Sequence, residues 1–505
     1  MRMKIVAFCV TVFFSHAAFA EHRMRPLSIV AEKASVITNA TAHFGCELRS
    51  FTSTSLACYG PDAIRAAYGV KQLLANGIDG RGQTIVIIDA FGSPTAESDL
   101  AQFDALFGVP APPSFKQIHM PGSTPFDYTD DNQIGWAEEV SLDVQWVHAI
   151  APGAKIVVVA AVDNSDAAIL DAQNYAISNK LGFIISESFG ESEYALLQDG
   201  AEGRQILSDN EKSYRRARRE HISVLVSSGD DGASATDIDG NLLPFAAADY
   251  PASSPNVTSV GGTNLFFGTP DHADPNGTYQ KEVVWNDGFG AGGGGISRAF
   301  GIPDYQDDAL SRSIRKSLKG FRGYPDVAYN AGVEGGVLVF LGFLDTAFGP
   351  GNNGFYIFGG TSAGAPQWAG IAALGNQLGG RPMGFLNTRL RSRADSRAQL
   401  PDARHHGRRQ LVRGRHRLCR DAGMGSGDGL GHPGRRHGAA PHRLPRRRLR
   451  RRRRRWPGAR RSRTLKRPLK ADATAERPPL SESPRRRGGS RPRRRDARAR
   501  PEGPS

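Results

Sequence analysis

One serine in this chain stands at the start of a helix made of small residues. Ser362 follows Gly-Gly-Thr and precedes an alanine-rich run that reaches Ala373. A hydroxyl at a helix N-terminus lies among free backbone N–H groups, which stabilise developing negative charge. Most serines in this position only cap the helix. A nucleophilic role for Ser362 therefore requires a second group that accepts the hydroxyl proton.

Two carboxyls at helical spacing could be that second group. Glu139 and Asp143 are four residues apart, so they lie on one face of the helix predicted at residues 136–146. Two carboxyls this close cannot both ionise easily, so the pair keeps one proton and titrates as a unit. Such a pair can take the proton of Ser362 and return it to a leaving amine at acidic pH. Glu138 is expected to lie on the solvated face of the helix.

A third carboxyl follows a predicted strand, in the sequence SSGDDG at residues 227–232. An acidic residue there ordinarily caps a turn, and this is the expectation for Asp231. Asp230, if burial keeps it protonated, could instead donate a hydrogen bond to the oxyanion of a tetrahedral intermediate.

A triad of serine, histidine and aspartate is the rival arrangement. Asp89 ends a strand-like segment, and His148 follows Asp143 closely. His148 precedes an Ala-Pro-Gly turn and lies at the wrong offset for the helix face of Glu139. We therefore favour the carboxyl pair over the histidine.

Short apolar runs alternate with helix-length stretches from Gln83 onward, and most of the runs end in Gly, Ser or Asp. Continuous apolar strands with intervening helices predict a parallel sheet covered on both faces. Polar residues at the carboxyl ends of such strands point into one crevice. Four side chains are placed on that rim: Asp89, Ser186, Ser188 and Asp230.

The segment from Gly261 to Gly351 has a different composition, rich in Gly, Pro and Asp. This composition predicts long surface loops rather than a second domain.

Four ordered motifs resemble the sedolisin family, the serine-carboxyl peptidases related to subtilisin. They are E-x-x-L-D from Glu139, SGD-x-G from Ser228, YPASSPNVTSVGGT from Tyr250 and GGTSAGAP from Gly359. The resemblance runs over residues 58–390. It implies a single subtilisin-like α/β domain, with a mostly parallel central sheet and helices on both faces, that hydrolyses peptide bonds at acidic pH.

The same resemblance implies a role for each matching residue. Ser362 would be the nucleophile, Glu139 the general base and acid, Asp143 its orienting partner and Asp230 the oxyanion donor.

Residues 186–190 resemble the family's substrate-binding strand, which implies that Ser186, Ser188 and Gly190 bind substrate. Glu187 is not the residue expected within that strand. The partners implied are protein or peptide substrates, and we expect a monomer that binds neither nucleic acid nor membranes.

The first twenty residues, Met1 to Ala20, carry two basic residues, an apolar run and an Ala-Phe-Ala end. This order is typical of a secretory signal peptide, and it predicts cleavage after Ala20 and export to the periplasm or the extracellular space. The apolar run is too short to span a bilayer comfortably. In an oxidising compartment, Cys46 and Cys58 are expected to form a disulfide rather than a metal site.

Residues 21–57 form a short N-terminal segment before the peptidase pattern. Sedolisins usually carry a long prodomain that assists folding and blocks the enzyme. Here only about forty residues separate the signal peptide from the peptidase pattern, so either this branch does without a prodomain or its folding helper is missing.

The tail at residues 391–505 contains 38 Lys and Arg against 9 Asp and Glu, whereas the rest of the chain contains 27 against 41. A basic tail ordinarily predicts binding to nucleic acid or another anionic polymer. Another interpretation is out-of-frame translation. With allowed codons, a one-base shift turns residues 424–434 into W-D-P-A-T-G-L-G-T-P, which resembles a phrase of the family's calcium site.

We therefore predict that the reading frame slips near Leu390 and that residues 391–505 are out of frame. The calcium ligands of the family, which are hard oxygen donors, would then be missing, and the chain as written would hold no metal or other cofactor. A lost metal site destabilises the folded state, so we expect the chain as written to be unstable or inactive. The alternatives are a non-catalytic secreted relic and a binder of anionic polymers through the basic tail.

Overall fold

The structure is a computed structural model that describes residues 22–37, 43–48, 56–237, 241–267 and 279–395, with side chains up to residue 390. All of these residues belong to the first of two units, Met1–Arg435, and the second unit, Arg436–Ser505, lies outside the described residues. The predicted signal peptide and the predicted tail beyond Asp395 also lie outside them.

The strands of the described residues are β1 (Arg25–Pro26), β2 (Ile29–Lys33), β3 (Cys58–Tyr59), β4 (Thr84–Ala90), β5 (Phe115–His119), β6 (Lys155–Ala161), β7 (Ile184–Glu187), β8 (Phe189–Ser192), β9 (Ser223–Ser227), β10 (Asp249–Tyr250), β11 (Thr258–Phe267), β12 (Tyr279–Val284), β13 (Gly295–Gly301), β14 (Phe321–Tyr324), β15 (Val327–Asn330), β16 (Gly336–Leu341) and β17 (Gly354–Gly359).

The helices are α1 (Pro61–Ala67), α2 (Val70–Ala75), α3 (Ala96–Phe107), α4 (Asp131–Ile150), α5 (Asp166–Ser178), α6 (Glu193–Gln198), α7 (Gly200–Arg219), α8 (Asp304–Asp307), α9 (Arg312–Leu318), α10 (Leu344–Phe348), α11 (Gly364–Gly379) and α12 (Leu386–Asp395), with single 3-10 turns at Gly45–Leu48 and Thr361–Ala363. Helix α12 extends past the boundary predicted at Leu390.

The central sheet has eight strands in the order β12-β11-β9-β7-β4-β6-β5, with β15 paired to β11. Every pair in it is parallel except β11 with β12. Strands such as β4 are apolar and almost entirely buried, as a sheet covered on both faces requires. The predicted mostly parallel α/β fold is confirmed.

Helices cover both faces of this sheet. Ile85 and Ile87 of β4 belong to a core that includes α4 and α11, whereas Val86 and Ile88 belong to a second core with residues of α5 and α7. Successive side chains of a strand point to opposite faces, so this alternation gives the chain one apolar core on each side of the sheet.

Helix α11 packs closely against α4 because its contacting positions carry little or no side chain. A Cβ added at Gly370 would lie 2.7 Å from the Cβ of Ile150 in α4. On the same helix, a Cβ added at Gly364 would lie 3.0 Å from Val260 of the central strand β11. This close approach brings the residues before α11 next to the buried middle of α4.

The prediction of long surface loops between Gly261 and Gly351 is wrong for most of that segment, which contains strands β12 to β16. Its Gly-rich run allows backbone to approach backbone. A Cβ at Gly293 would lie 2.3 Å from the Ser228 carbonyl oxygen, and one at Gly292 would lie 2.7 Å from the Gly262 oxygen. Glycine is needed there for close packing rather than for loop flexibility.

A disulfide joins Cys46 to Cys58 at the start of β3. Within the described part of the chain, no helix is both long enough and apolar enough to cross a membrane.

The contact between α11 and α4 gives a stability prediction. Gly370→Ala should lower the free energy of unfolding by about 1–3 kcal/mol, because the new methyl group overpacks against Ile150. Gly379→Ala is the matched control, since an added Cβ there meets nothing within 4 Å. Urea denaturation of both variants in a Ser362→Ala background measures the difference. Equal stabilities for the two variants would contradict the close contact.

Candidate active site

Helix α4 carries the two carboxyls predicted at helical spacing. It begins after Asp130, whose side chain accepts a hydrogen bond from the Asn132 N–H at 2.9 Å. Glu139 and Asp143 lie in its middle and are fully buried. Glu138, which was expected on a solvated face, is half-buried.

Ser362 lies in the 3-10 turn between β17 and α11 and is fully buried. The turn follows Gly360, whose φ of 95° is one that residues with a side chain rarely adopt. The Ser362 hydroxyl donates a hydrogen bond of 3.1 Å to the Ser188 carbonyl oxygen. The turn thus holds the hydroxyl between α4 and the strand end at Ser188.

Asp143 is fixed by a serine of the neighbouring strands. Ser188, which links β7 to β8, places its Oγ 2.8 Å and 2.9 Å from the two carboxyl oxygens of Asp143. Burial raises the pKa of Asp143 well above its usual range, and the Ser188 hydroxyl opposes this shift.

The Glu139 carboxyl lies between Asp143 and the hydroxyls of Ser28 and Ser362. Burial raises the pKa of Glu139 well above its usual range, Asp143 raises it further, and the two hydroxyls oppose the shift. Neither Glu139 oxygen has a hydrogen-bond partner of ordinary geometry among the described residues. A buried carboxyl that accepts so few hydrogen bonds favours its protonated form. The pair formed by Glu139 and Asp143 therefore retains protons at a pH where exposed carboxyls have lost them.

Asp230 follows β9 and faces the same turn. Its Oδ1 accepts hydrogen bonds of 2.8 Å from both the N–H and the hydroxyl of Thr361. Burial raises the pKa of Asp230 to about 7, although the bonds from Thr361 act in the other direction. Below that pH the group is neutral and can donate a hydrogen bond. Thr361, which holds it, is part of the GGTSAGAP motif but was not singled out from the sequence.

Two further carboxyls, Asp89 and Glu187, complete the group, and together with Glu139 and Asp143 we call these four the carboxyl cluster. The pKa of Asp89 is raised first by burial and then by Asp143, Glu139 and Glu187. Burial raises the pKa of Glu187 to about 8, against the effect of the Tyr214 hydroxyl, which donates to it at 2.8 Å. In the sequence, both Asp89 and Glu187 can be found as carboxyls within or at the end of an apolar run that predicts a buried strand.

His148 has partners of its own. Its Nε2 lies 2.9 Å from the Pro110 carbonyl oxygen and 3.3 Å from Asp104 Oδ1. These contacts hold the end of α4 against the segment after α3, and the ring makes no hydrogen bond to Ser362.

The three predicted substrate-binding residues lie along β7 and β8. Ser188 contacts both Asp143 and Ser362, as described above. Gly190 lies opposite Arg25 in the pairing of β8 with β1. Ser186 is buried within β7, and its hydroxyl has no hydrogen-bond partner among the described residues. Substrate binding by these three residues stays a prediction.

Comparisons with known proteins agree with this arrangement. The Subtilase family matches residues 128–384, which is more than half of the chain. Kumamolisin of Bacillus sp. (strain MN-32) is 35% identical over 351 residues, covering 68% of this chain and 56% of the relative. Sedolisin of Pseudomonas sp. (strain 101) is 28% identical over 310 residues, covering 60% and 48%. This chain belongs to the sedolisin family.

A solved sedolisin structure supports the same assignment. Pseudomonas sedolisin, a serine-carboxyl proteinase complexed with pseudo-iodotyrostatin, superposes with a TM-score of 0.55 at 27% identity, covering 68% of this chain and 88% of that one. The predicted membership of the sedolisin family is thereby confirmed. The chain spans about half the length of the curated relatives it matches.

Calcium is the metal that sedolisin membership implies, and the described residues do not fit it. Among them, the one group with metal-ligand spacing is His22, Asp166 and Glu191. It includes an imidazole nitrogen and joins the N-terminal segment to α5 and β8, whereas calcium prefers six to eight oxygen donors. The segment at residues 391–505, where the sequence led us to expect remnants of a calcium site, lies outside the described side chains.

The buried carboxyls of this sedolisin predict a stability that falls as pH rises. Their folded-state pKa values exceed the unfolded values of about 4, reaching about 7 for Asp230 and about 8 for Glu187. Between the unfolded pKa values of about 4 and the folded values of about 7 and 8, the folded chain binds more protons than the unfolded chain. The free energy of unfolding therefore decreases as pH rises through this range. Thermal unfolding of Ser362→Ala should give a higher Tm at pH 4 than at pH 8.

Glu187→Gln serves as the control, because it removes one of the titrating groups and should flatten this slope. A Tm that rises from pH 4 to pH 8 would show that the carboxyls are ionised in the folded protein.

Proposed function

We propose that this chain is a serine-type endopeptidase that hydrolyses protein and peptide substrates at acidic pH. Ser362 is the nucleophile, Glu139 the general base and acid, Asp143 its orienting partner and Asp230 the oxyanion donor. Membership of the sedolisin family supports the reaction class.

One geometric observation carries the proposal: the Ser362 hydroxyl donates to the Ser188 carbonyl oxygen at 3.1 Å, and the Ser188 hydroxyl lies 2.8 Å from Asp143. Glu139 is fully buried one turn before Asp143 on α4. A serine hydroxyl becomes a useful nucleophile only with a base in reach. Among the described residues, the hydrogen-bonding groups around Ser362 include no histidine, and Glu139 is the group suited to accept its proton.

The reaction follows from the roles of these groups. Ser362 Oγ attacks the substrate carbonyl carbon while its proton moves to Glu139. Asp143 orients Glu139 and stabilises its protonated form. The Ser362 N–H and the neutral Asp230 carboxyl stabilise the oxyanion. Glu139 then returns the proton to the leaving amine, and water releases the acyl group by the reverse sequence. Because Asp230 must be protonated, activity should decline as pH rises toward 7.

Export and the altered tail are further parts of the proposal. The sequence of Met1–Ala20 supports secretion to the periplasm or outside the cell, and the composition of residues 391–505 supports a shifted reading frame. Sequencing the gene beside that of a close relative tests the frame, since an intact frame encoding the Arg-rich tail would remove the idea.

The nucleophile and base are tested by digestion of denatured casein at pH 4, with the chain as written and with its frame restored. Ser362→Ala should lower the rate at least about 10⁴-fold, and Glu139→Gln by about 10²–10⁴-fold. Glu138→Gln is the matched control at the neighbouring position and should retain activity. Unchanged digestion by Ser362→Ala, or none by any form of the chain, would remove the peptidase assignment.

The oxyanion role of Asp230 has a separate signature. Asp230→Ala should lower kcat by about 10²–10³-fold with little change in KM, because the donor acts mainly in the transition state. Asp230→Asn keeps a neutral donor, so it should retain more activity than alanine and extend it to higher pH. Steady-state kinetics on a peptide substrate at pH 4 and pH 7 distinguishes these outcomes. Equal loss in both variants at both pH values would point to a structural role.

A further inference from the structure

A histidine and two carboxyls from distant parts of the chain meet in one buried space outside the carboxyl cluster. His22 precedes β1, Asp166 begins α5 and Glu191 lies in β8. One possible donor atom of each side chain lies within 4.8 Å of the other two. All three residues are at most 7% exposed. Three side chains able to ligate a metal therefore share a place from which water is largely excluded.

The polar atoms of this group lack the partners that buried carboxyls ordinarily have. Neither oxygen of Asp166, nor Oε1 of Glu191, has a hydrogen-bond partner among the residues that the structure describes. Within those residues, neither carboxyl pairs with a lysine or an arginine. Buried carboxylates are stable when they are paired or when they coordinate a metal. A divalent cation held by both carboxyls would supply the charge that the protein does not.

The imidazole of His22 lies between two carboxyls, one on each ring nitrogen. Its Nδ1 lies 3.3 Å from Glu191 Oε2, and its Nε2 lies 3.3 Å from Asp199 Oδ2. Two ligands of a tetrahedral zinc ion, each about 2.0–2.1 Å from the metal, lie about 3.3 Å apart. Nδ1 and Oε2 therefore have the spacing of two zinc ligands. Asp199 is placed to accept the second N–H of the imidazole, as a carboxylate commonly does beside a metal-bound histidine.

Backbone contacts hold the three donors together. Arg23 forms a β-bridge with Ser165, directly before the acidic residue of α5. The Met24 N–H donates to the Asn164 carbonyl oxygen at 2.9 Å, and the Asn164 side chain donates to the Met24 carbonyl oxygen at 2.8 Å. Strand β8 is paired on both edges, with β1 and with β10. Donors fixed in this way form much of the site before an ion arrives, which lowers the cost of binding it.

The donor set selects among metals. One imidazole nitrogen and two carboxylate oxygens suit zinc, whereas calcium and magnesium prefer shells made of oxygen alone. The two carboxylates also balance the charge of one divalent ion. Three protein ligands leave the fourth position of a zinc tetrahedron for water.

From this geometry we propose that His22, Asp166 and Glu191 bind one zinc ion, with Asp199 orienting the imidazole. The proposal departs from the expectation that the chain as written holds no metal, and it does not depend on the peptidase activity. The predicted cleavage after Ala20 leaves the histidine in the exported chain. Because the ion would tie the N-terminal segment to α5 and β8, it should stabilise the folded state.

The experiment uses the full chain with Ser362→Ala, which prevents self-digestion. The protein is stripped with EDTA, dialysed at pH 7 and titrated with zinc chloride, and isothermal calorimetry and thermal unfolding follow the titration. We expect one tightly bound equivalent of zinc and a Tm that rises by several degrees with zinc in excess. Calcium chloride at the same concentration should give neither result.

Variants of the ligands separate a metal site from a merely structural cluster. His22→Ala and Asp166→Asn should each weaken the tight binding more than about 100-fold and abolish the rise in Tm, and Asp199→Asn should weaken it about 10–100-fold. Asp166→Asn keeps the shape of the side chain and removes a buried acid, so its Tm without zinc should not fall below that of the parent. His119→Ala, at an exposed histidine of β5, is the matched control and should bind zinc as the parent does.

The basic tail makes these variants necessary. Residues 391–505 contain six histidines, which can bind zinc on their own. Tight binding that survives both His22→Ala and Asp166→Asn would therefore place the ion elsewhere and overturn the site. The absence of a tight equivalent in the parent, with an unchanged Tm, would overturn it as well, since the three side chains would then be a buried polar cluster and no more.

Discussion

The site depends on four carboxyls buried together without a compensating cation. Asp89, Glu139, Asp143 and Glu187 are fully buried, and none of them takes part in a salt bridge in the described part of the chain. Ionising such groups is costly, so the protein keeps protons at this position well above the pH at which exposed carboxyls lose them. A site that retains protons in this way can serve as both acid and base, which a solvated carboxyl pair could not do at the same pH.

The surrounding fold supplies the space and the neighbours that this cluster requires. The parallel strands bring Asp89 and Glu187 to one side of α4, and the Ser188 hydroxyl fixes Asp143. Small residues in α11 let that helix approach α4, which places the turn that carries Ser362 against α4. In the N-terminal segment, the backbone of Leu27 is hydrogen-bonded to the Ser188 carbonyl oxygen and to the Ser362 N–H. Positioning and low polarity therefore come from different elements around one buried acidic centre.

Local patterns in the sequence were enough to predict the parallel sheet and the paired positions of Glu139 and Asp143, because apolar runs and helical spacing are properties of short segments. They were not enough for features that depend on distant partners. The composition between Gly261 and Gly351 predicts loops although the segment forms strands, because glycine there serves close packing that composition cannot distinguish from flexibility. The position of residues 25–28 in the site also depends on pairing with β8 and β17, which lie far away in sequence.

The protonation state of the cluster is the most direct test of this account. Infrared spectroscopy of Ser362→Ala, titrated from pH 4 to pH 8, measures the absorption of protonated carboxyl groups without requiring activity. The account predicts that a fraction of this absorption persists above pH 6, beyond the ordinary carboxyl range near 4, and that further substitution by Glu139→Gln or Asp143→Asn reduces it. Complete loss of the signal by pH 5, with no difference among the variants, would contradict the account.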